Sequence, residues 1–549
     1  MTGWLGLVGA VLARPTLYTG GSIHTVDAAD HVVEAMLIED ARVVAVGTAE
    51  ELREQAPRAR IVDLDGQVIV PGFIDAHGHF PGEGAGAVFA DLSSPPVGTI
   101  RTMDELLAGL RDEAAQHRRG RWVVGYGYDD TLLAEGRHPT RHDLDHVSDR
   151  HPVAAIHISG HVTAVNTAGL AVLGLTAATP DPDGGHILRE PDGHTPSGVL
   201  EEMASEHAQR VLLPGAWDGL RILRAAEHRY LAAGVTTAQS GLTPPSLVRS
   251  LAWLGRLRGL TLRLVIWPDE HSADALLEGT LRLPRLDPTW VSLGAVKLMA
   301  DGSIQSHTAH LREPYHDRED GHRGQPRGAP EALAEKAARY HAAGLQLAIH
   351  GNGDAAIDTI LDTIEAAQRA HPRDDARHIL IHAQLADAGQ LERMQTLAIT
   401  PSFFVQHIRY WGDRHRMIFL GEERAARLDP IQSAWQRGLR PTLHADSPVV
   451  PIRPLEMIEV AVSRTTRAGV VLGADERLSP TQALRSLTIE PAWQQHLDES
   501  RGSLEPGKLA DFVVLSASPL QPGATVQQTI IGGRVVYHTE HDPADRQRR

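Results

Sequence analysis

Eight short apolar runs recur between Gly72 and about Glu490, and helical stretches separate most of them. The runs are VIVPGFIDAHGH, GVTTAQS, LRLVIW, LGAVKLMA, LQLAIHG, HILIHA, AITPSFF and RPTLHAD. Between them, stretches such as LRILRAAEHRYLAAG, EALAEKAARYHAAG and ADAGQLERMQTLA repeat apolar residues at i, i+3 and i+4, the spacing of an amphipathic helix. Strands that alternate with helices pair in parallel, and eight such repeats predict an α/β chain with a (β/α)8 barrel of the TIM type. A barrel of that kind holds its chemistry at the C-terminal ends of its strands.

The two ends of the chain read differently. LYTGGSIHTVD, AMLIEDARVVAVGT and ARIVDLDGQVIV alternate apolar and polar residues between Gly and Asp punctuation, and LADFVVLS and TVQQTIIGGRVVYH do so again near the far end. This predicts a small β-sandwich built from both termini, residues 15–71 with 498–540, flanking a barrel of 72–85 with 220–497. About 140 residues separate the first barrel strand from the second, far more than a βα connection needs. That interval has elements of its own (RWVVGYGYDD, HPVAAIHISGH and a Pro- and Gly-rich loop), so 86–219 is read as an inserted α/β cap domain over the barrel mouth. A chain of 549 residues is long enough for several such units.

Charge and cysteine content narrow the function. The formal net charge of −16 disfavours nucleic acid and anionic membranes as partners, leaving a small molecule. With no cysteine, any metal must be held by nitrogen and oxygen, and 31 histidines make that worth a search. The leading MTGWLGLVGAVLARPT lacks the basic start of a signal peptide and is too short to span a bilayer, so the chain is read as cytoplasmic. The closing HTEHDPADRQRR reads as a solvated tail.

The strongest local signal is Asp75-Ala76-His77-Gly78-His79 after VIVPGFI. Residues i and i+2 of a strand face the same side, so His77 and His79 point together and can seat a divalent cation. Lys297, His350, His382 and Asp446 each fall at the end of another predicted strand. Five strand ends supplying HxH, Lys, His, His and Asp form a far more specific pattern than any one of them. The bland alternatives are a Lys297–Asp301 salt bridge, a packing role for His382, and Asp446 as a helix cap. His444 shares a face with Asp446 and could reach a substrate, and His378 and Gln384 could orient a ligand. Tyr410 and Trp411, just past the seventh strand, suit either pocket walls or loop packing.

On these motifs the chain resembles the amidohydrolase superfamily, in the amidohydrolase-3 branch that includes N-substituted formamide deformylases. SGHVTAVNTAGL, PSGVLEE, VKLMADGSIQSHTA, YWGDRH and RGSLEPGKLADFVVLS extend the resemblance over nearly the whole chain. It implies that His77 and His79 bind a buried metal, that Lys297 is carboxylated and bridges two metals, and that His350 and His382 complete the more exposed position. It implies Asp446 as metal ligand and as the base, then acid, acting on a metal-activated water. His161 and Asn166 match a motif of the branch and imply substrate contact from the cap, unless they only tie a loop. The expected reaction is hydrolysis of a C–N bond, in an N-formyl or N-acyl amide of a hydrophobic amine, with one or two divalent ions, zinc first. Esters, carbamates and cyclic amides stay open, as do a lyase or isomerase on the same barrel and a non-catalytic interaction protein. A homodimer is compatible with the resemblance, although no residue demonstrates one.

Overall fold

The computed structural model describes residues 14–95, 97–212 and 215–541. The N-terminal apolar run up to Ala13 and the charged tail beyond His541 lie outside the described residues. The chain divides into two compact units. One holds the chain up to Phe80, Tyr230–Ala445 and everything from Ile452 on, and the other holds Pro81–Arg229 with Asp446–Pro451.

In the first unit every one of the eight apolar runs carries strand residues. The strands are Phe73–Ile74, Val235–Thr243, Arg263–Pro268, Val291–Leu293 continuing as Val296–Met299, Leu347–Gly351, Ile379–His382, Thr400–Phe403 and Thr442–Leu443. Neighbours pair in parallel and in sequence order, in a sheet that ends with Val291–Leu293 and another that begins with Val296–Met299. The fourth strand breaks at Gly294 because a side chain there would run into the ring of Trp267. Helices such as Pro245–Arg256, Pro330–Ala342, Asp354–Ala370 and Ala388–Thr396 lie between consecutive strands, the β/α order of a TIM-type fold. Ile74, Val265, Trp267, Ala295, Ala348, Ile379 and Ile381, from five of these strands, form one buried apolar cluster.

Both ends of the chain meet in one six-stranded sheet of the same unit. Its order is Arg534–His538, Val526–Ile531, Phe512–Leu515, Val68–Pro71, Ser22–His24 and Val32–Val33. A four-stranded sheet of Arg42–Gly47, Ala35–Glu39, Thr16–Thr19 and Arg60–Asp63 shares its core, where Tyr18, Met36 and Val43 pack with Ile69, Phe512 and Val514. Buried Arg263, opening the third parallel strand, pairs with Asp511 through two hydrogen bonds of 2.5 and 2.8 Å and so fastens that strand to the terminal sheet.

The second unit is built on a mixed six-stranded sheet that includes Val123–Tyr128, Val153–His157, Val162–Val165 and Pro196–Glu202. Alternate residues serve opposite faces, as a pleated strand requires. Val123, Val153 and Ala155 pack under the helix Met103–Gln116, while Val124, Ala154 and Ile156 pack with Leu170, Ala204 and Ala208 on the other side. Among the described residues no helix is long and apolar enough to cross a membrane.

Candidate metal centre

The C-terminal ends of the parallel strands gather imidazoles. His77 leaves the first strand, His350 and His382 lie on the fifth and sixth, and His444 follows the eighth; all four are buried. The His77 ring lies 5.2 Å from that of His79, 5.9 Å from that of His382 and 5.3 Å from that of His444. The His350 and His382 rings are 4.5 Å apart. From the fourth strand, Lys297 reaches in at 2 % exposure and sets its Nζ 2.9 Å from His77 Nε2.

The partners of these rings fix which nitrogen faces inward. Gly78 N–H donates to Gln239 Oε1 at 2.7 Å, so that amide must present its oxygen. His77 Nδ1, 3.2 Å from the same oxygen, is then the donor, and Nε2 is left as the lone pair that meets Lys297. His79 repeats the logic: Nδ1 donates to the carbonyl of Gly241 at 3.1 Å. His350 is turned the other way, because its Nε2 donates to the carbonyl of Gly302 at 3.0 Å and its Nδ1 faces His382 Nε2 at 3.0 Å. His444 links the far side of His382 to Ser402, at 3.1 and 2.9 Å.

Two ligands on a tetrahedral ion with bonds of 2.0–2.1 Å stand about 3.3 Å apart. The 3.0 Å between His350 Nδ1 and His382 Nε2 is close to that edge, and His77 and His382 offer ring nitrogens within 4.8 Å of one another. Imidazole nitrogens with outward N–H groups anchored on carbonyl and amide oxygens suit a first-row divalent ion. The donor set therefore fits a metal.

Local backbone explains how the side chains are aimed. His382 and Ala383 have φ of 71° and 51°, left-handed values unusual for such residues and frequent where a strand end must turn a side chain into a site. Gly78 has to be glycine: a Cβ there would sit 2.5 Å from Asp75 Oδ2 and 3.2 Å from the Tyr230 hydroxyl. Asp301, a candidate salt-bridge partner of Lys297, accepts instead from the N–H groups of His310, Asn352 and Gly353 at 2.9–3.0 Å. Burial pushes its carboxyl up to about 7 even so.

Other sequence candidates lie at varying remove. Asp446 follows the eighth strand with φ of 50°, two residues beyond His444, in the segment grouped with the second unit. Trp411 is buried and stacks on His407 at 4.6 Å, and the Tyr410 hydroxyl donates to Glu456 at 3.4 Å. Phe404 stands nearer the centre, 5.4 Å from the His444 ring and 6.1 Å from His382. In the second unit His161 pairs with Glu202 at 2.9 Å. Asn166 caps the helix Thr167–Leu173, accepting from Gly169 and Val153 N–H and donating to the His151 carbonyl. His378 does not orient a ligand. It precedes the sixth strand, about 13 Å from His382 at 3.3 Å per residue, and is bonded to His341. Gln384 is buried, and no hydrogen bond reaches its side-chain amide.

Two contributors escape a reading of the sequence. Gln239, in GVTTAQ, has no motif of its own; its signal is a polar residue near the C-terminal end of an apolar strand. Trp267 stacks on His77 at 5.5 Å with ring planes 11° apart. It closes LRLVIW, where an aromatic reads as core.

Comparison with known proteins places the chain. The amidohydrolase family matches residues 60–537, and an imidazolonepropionase-like composite domain of bacteria matches residues 35–59. An N-substituted formamide deformylase of Arthrobacter pascens is 31% identical over 92% of this chain and 94% of its own. Protein LONG AFTER FAR-RED 3 of Arabidopsis thaliana is also 31% identical, over 96% of this chain and 92% of its own. Among solved structures, an uncharacterized metal-dependent hydrolase from Pyrococcus horikoshii OT3 superposes with a TM-score of 0.76 at 26% identity, covering 95% of this chain and 100% of that one.

Proposed function

This chain belongs to the amidohydrolase family, a metal-dependent hydrolase of C–N bonds, and from that premise we propose that its substrate is an N-formyl or N-acyl amide of a hydrophobic amine. One observation carries the reading: five strand ends bring His77, Lys297, His350, His382 and His444 into a chain of contacts of 2.9–3.1 Å. The formamide deformylase relative supports the substrate class, and buried Phe404 beside His382 suits an apolar amine substituent.

We assign His77 and His79 to one metal position and His350 and His382 to another, with zinc the first choice. A divalent ion held there supplies a Lewis acid for the carbonyl oxygen and lowers the pKa of water toward 7. Lys297 is assigned as a carbamate, since an ammonium cannot bind a cation whereas a carboxylated lysine offers anionic oxygen. Asp446 takes the proton of the attacking water and returns it to the amine nitrogen as the C–N bond breaks. Gln239 keeps the His77 Nδ1 proton in place, so Nε2 stays available through the cycle. His161, Asn166, Tyr410, Trp411 and His444 are carried as candidate substrate contacts. With this reading go a β-sandwich from both termini and an inserted domain at 86–219.

The test is release of formate or another carboxylic acid from a panel of N-substituted formamides and acyl amides, in water enriched in heavy oxygen, beside the metal content per chain. Expected are one or two equivalents of metal and one labelled oxygen in the acid. A metal-loaded enzyme that turns over esters or cyclic amides but none of these would overturn the substrate assignment. Product without label would overturn hydrolysis itself.

A further inference from the structure

The second unit holds a convergence of ligand-type side chains made wholly from its own residues. Its strands Val123–Tyr128 and Val153–His157 run parallel and adjacent, so they finish together, with Tyr128 opposite His157. A shift in register between Tyr126 and Tyr128 is taken up at Gly127, whose φ of 102° is open to glycine and strained for other residues. The chain then turns through Asp129 and Asp130. Asp129 Oδ1 accepts from Thr131 N–H at 3.0 Å and from the Thr131 hydroxyl at 2.5 Å, which holds this carboxylate at the strand end.

One ligand atom each from Asp129, Asp130 and His157 lie within 4.8 Å of one another. Asp129 and His157 are 7 % and 8 % exposed, so this is not a surface cluster of acids. Ser159 closes on His157 Nδ1 with its hydroxyl at 2.8 Å and its N–H at 3.2 Å. Nε2 therefore faces the acids. It is buried and makes no hydrogen bond, although Asp130 Oδ1 is 3.2 Å away. An imidazole nitrogen enclosed without a hydrogen bond, aimed at two carboxylates, is poorly explained as an ordinary His–Asp pair. Two carboxylates this close repel one another in a poorly solvated place, and a dication removes that cost. His138 stands at the rim, its Nδ1 3.0 Å from the Tyr128 hydroxyl and 3.8 Å from Asp130.

We propose that Asp129, Asp130 and His157 bind a divalent first-row cation, clamping the loop after Tyr128 onto the end of the neighbouring strand. One nitrogen and two carboxylate donors suit Zn2+ or Mn2+, and the missing positions are open to water. The site is separate from the residues assigned to catalysis, so it stands or falls independently of the reaction proposed above.

The test uses the full chain carrying His77→Ala and His382→Ala, stripped with chelator and equilibrated with Zn2+ and, separately, Mn2+. Bound metal is counted by elemental analysis. This background should keep about one equivalent that is lost on adding His157→Gln or Asp130→Asn, near-isosteric changes that remove a ligand. A count unchanged by both additions overturns the proposal, as does a background that binds neither ion. Should the variants fail to fold, anomalous scattering from wild-type crystals soaked in Zn2+ decides: a peak about 2.0–2.1 Å from His157 Nε2 is expected. No peak there leaves a plain His–Asp pair and sinks the site.

Discussion

His378 and His382 bracket the short strand Ile379–His382, and both are buried, yet their surroundings make them opposites. At His378 every nitrogen has its complement: Nδ1 accepts from Leu347 N–H at 3.0 Å, and Nε2 meets His341 Nδ1 at 2.8 Å. His341 in turn donates to the carbonyl of His371 at 2.7 Å. The chain ends in a backbone acceptor, and the pair behaves as a structural bolt. At His382 the contacts run from imidazole to imidazole, and the partners of His77 and His350 push lone pairs inward. One strand thus carries stability at its start and reactivity at its end, the division expected of a TIM-type fold.

The comparison breaks most visibly if the two ends are removed in turn. His77→Ala or His382→Ala should lower kcat/KM by about 10^3-fold or more and leave the unfolding midpoint of the metal-free protein nearly unchanged. Asp446→Asn should cost a similar factor, and near wild-type turnover in any of the three would end the assignment. Removing Lys297 with Ala should abolish activity that short carboxylic acids restore in part, and an undiminished rate would exclude the carbamate. A smaller effect is expected one layer out: Gln239→Leu frees the His77 ring and should weaken metal affinity about 10–100-fold. Isothermal titration of the metal-stripped protein measures it.

At the other end His378→Leu should do the reverse. It strands the Leu347 N–H and His341 Nδ1, costing about 2–4 kcal/mol of stability, while kcat of the folded fraction is retained. Urea unfolding beside active-site titration separates the two. The smallest effect is in pH. Burial, reinforced by His341 and Arg373, drives His378 down to about 3 from its ordinary 6.5. The unfolded chain binds a proton below 6.5 that the folded chain refuses until about 3, so stability is full above 6.5 and falls as the pH drops through that window. Thermal midpoints between pH 7 and 4 should fall less steeply in His378→Leu than in the wild type, and equal slopes would show that another group carries the acid sensitivity.

Much of this is legible in the sequence because strands and their ends announce themselves. Eight apolar runs and the residues closing them locate His77, Lys297, His350 and His382 without coordinates. His378 is misplaced by the same logic, since a histidine four residues from a ligand looks close to it until the rise of an extended chain is counted. Gln239 and Trp267 escape because one resembles a polar strand residue and the other a core aromatic; their value lies in which ring they meet across the sheet. Asn166 reads as a motif residue, while its amide is occupied by three backbone groups. A type and a position are visible in one dimension. Which nitrogen carries the proton is not, because distant residues decide it.

The terminal sheet has a consequence for how the protein is made. Val68–Pro71 lies between Ser22–His24, synthesised just before it, and Phe512–Leu515, which emerges last. Roughly 440 residues must be translated between those two partners, about 20–90 s at ribosomal rates of 5–20 residues per second. For that interval the early strands present an unpaired edge, a template for pairing with the wrong chain. Yield from expression should therefore depend on elongation speed and on chaperones that shield the nascent edge.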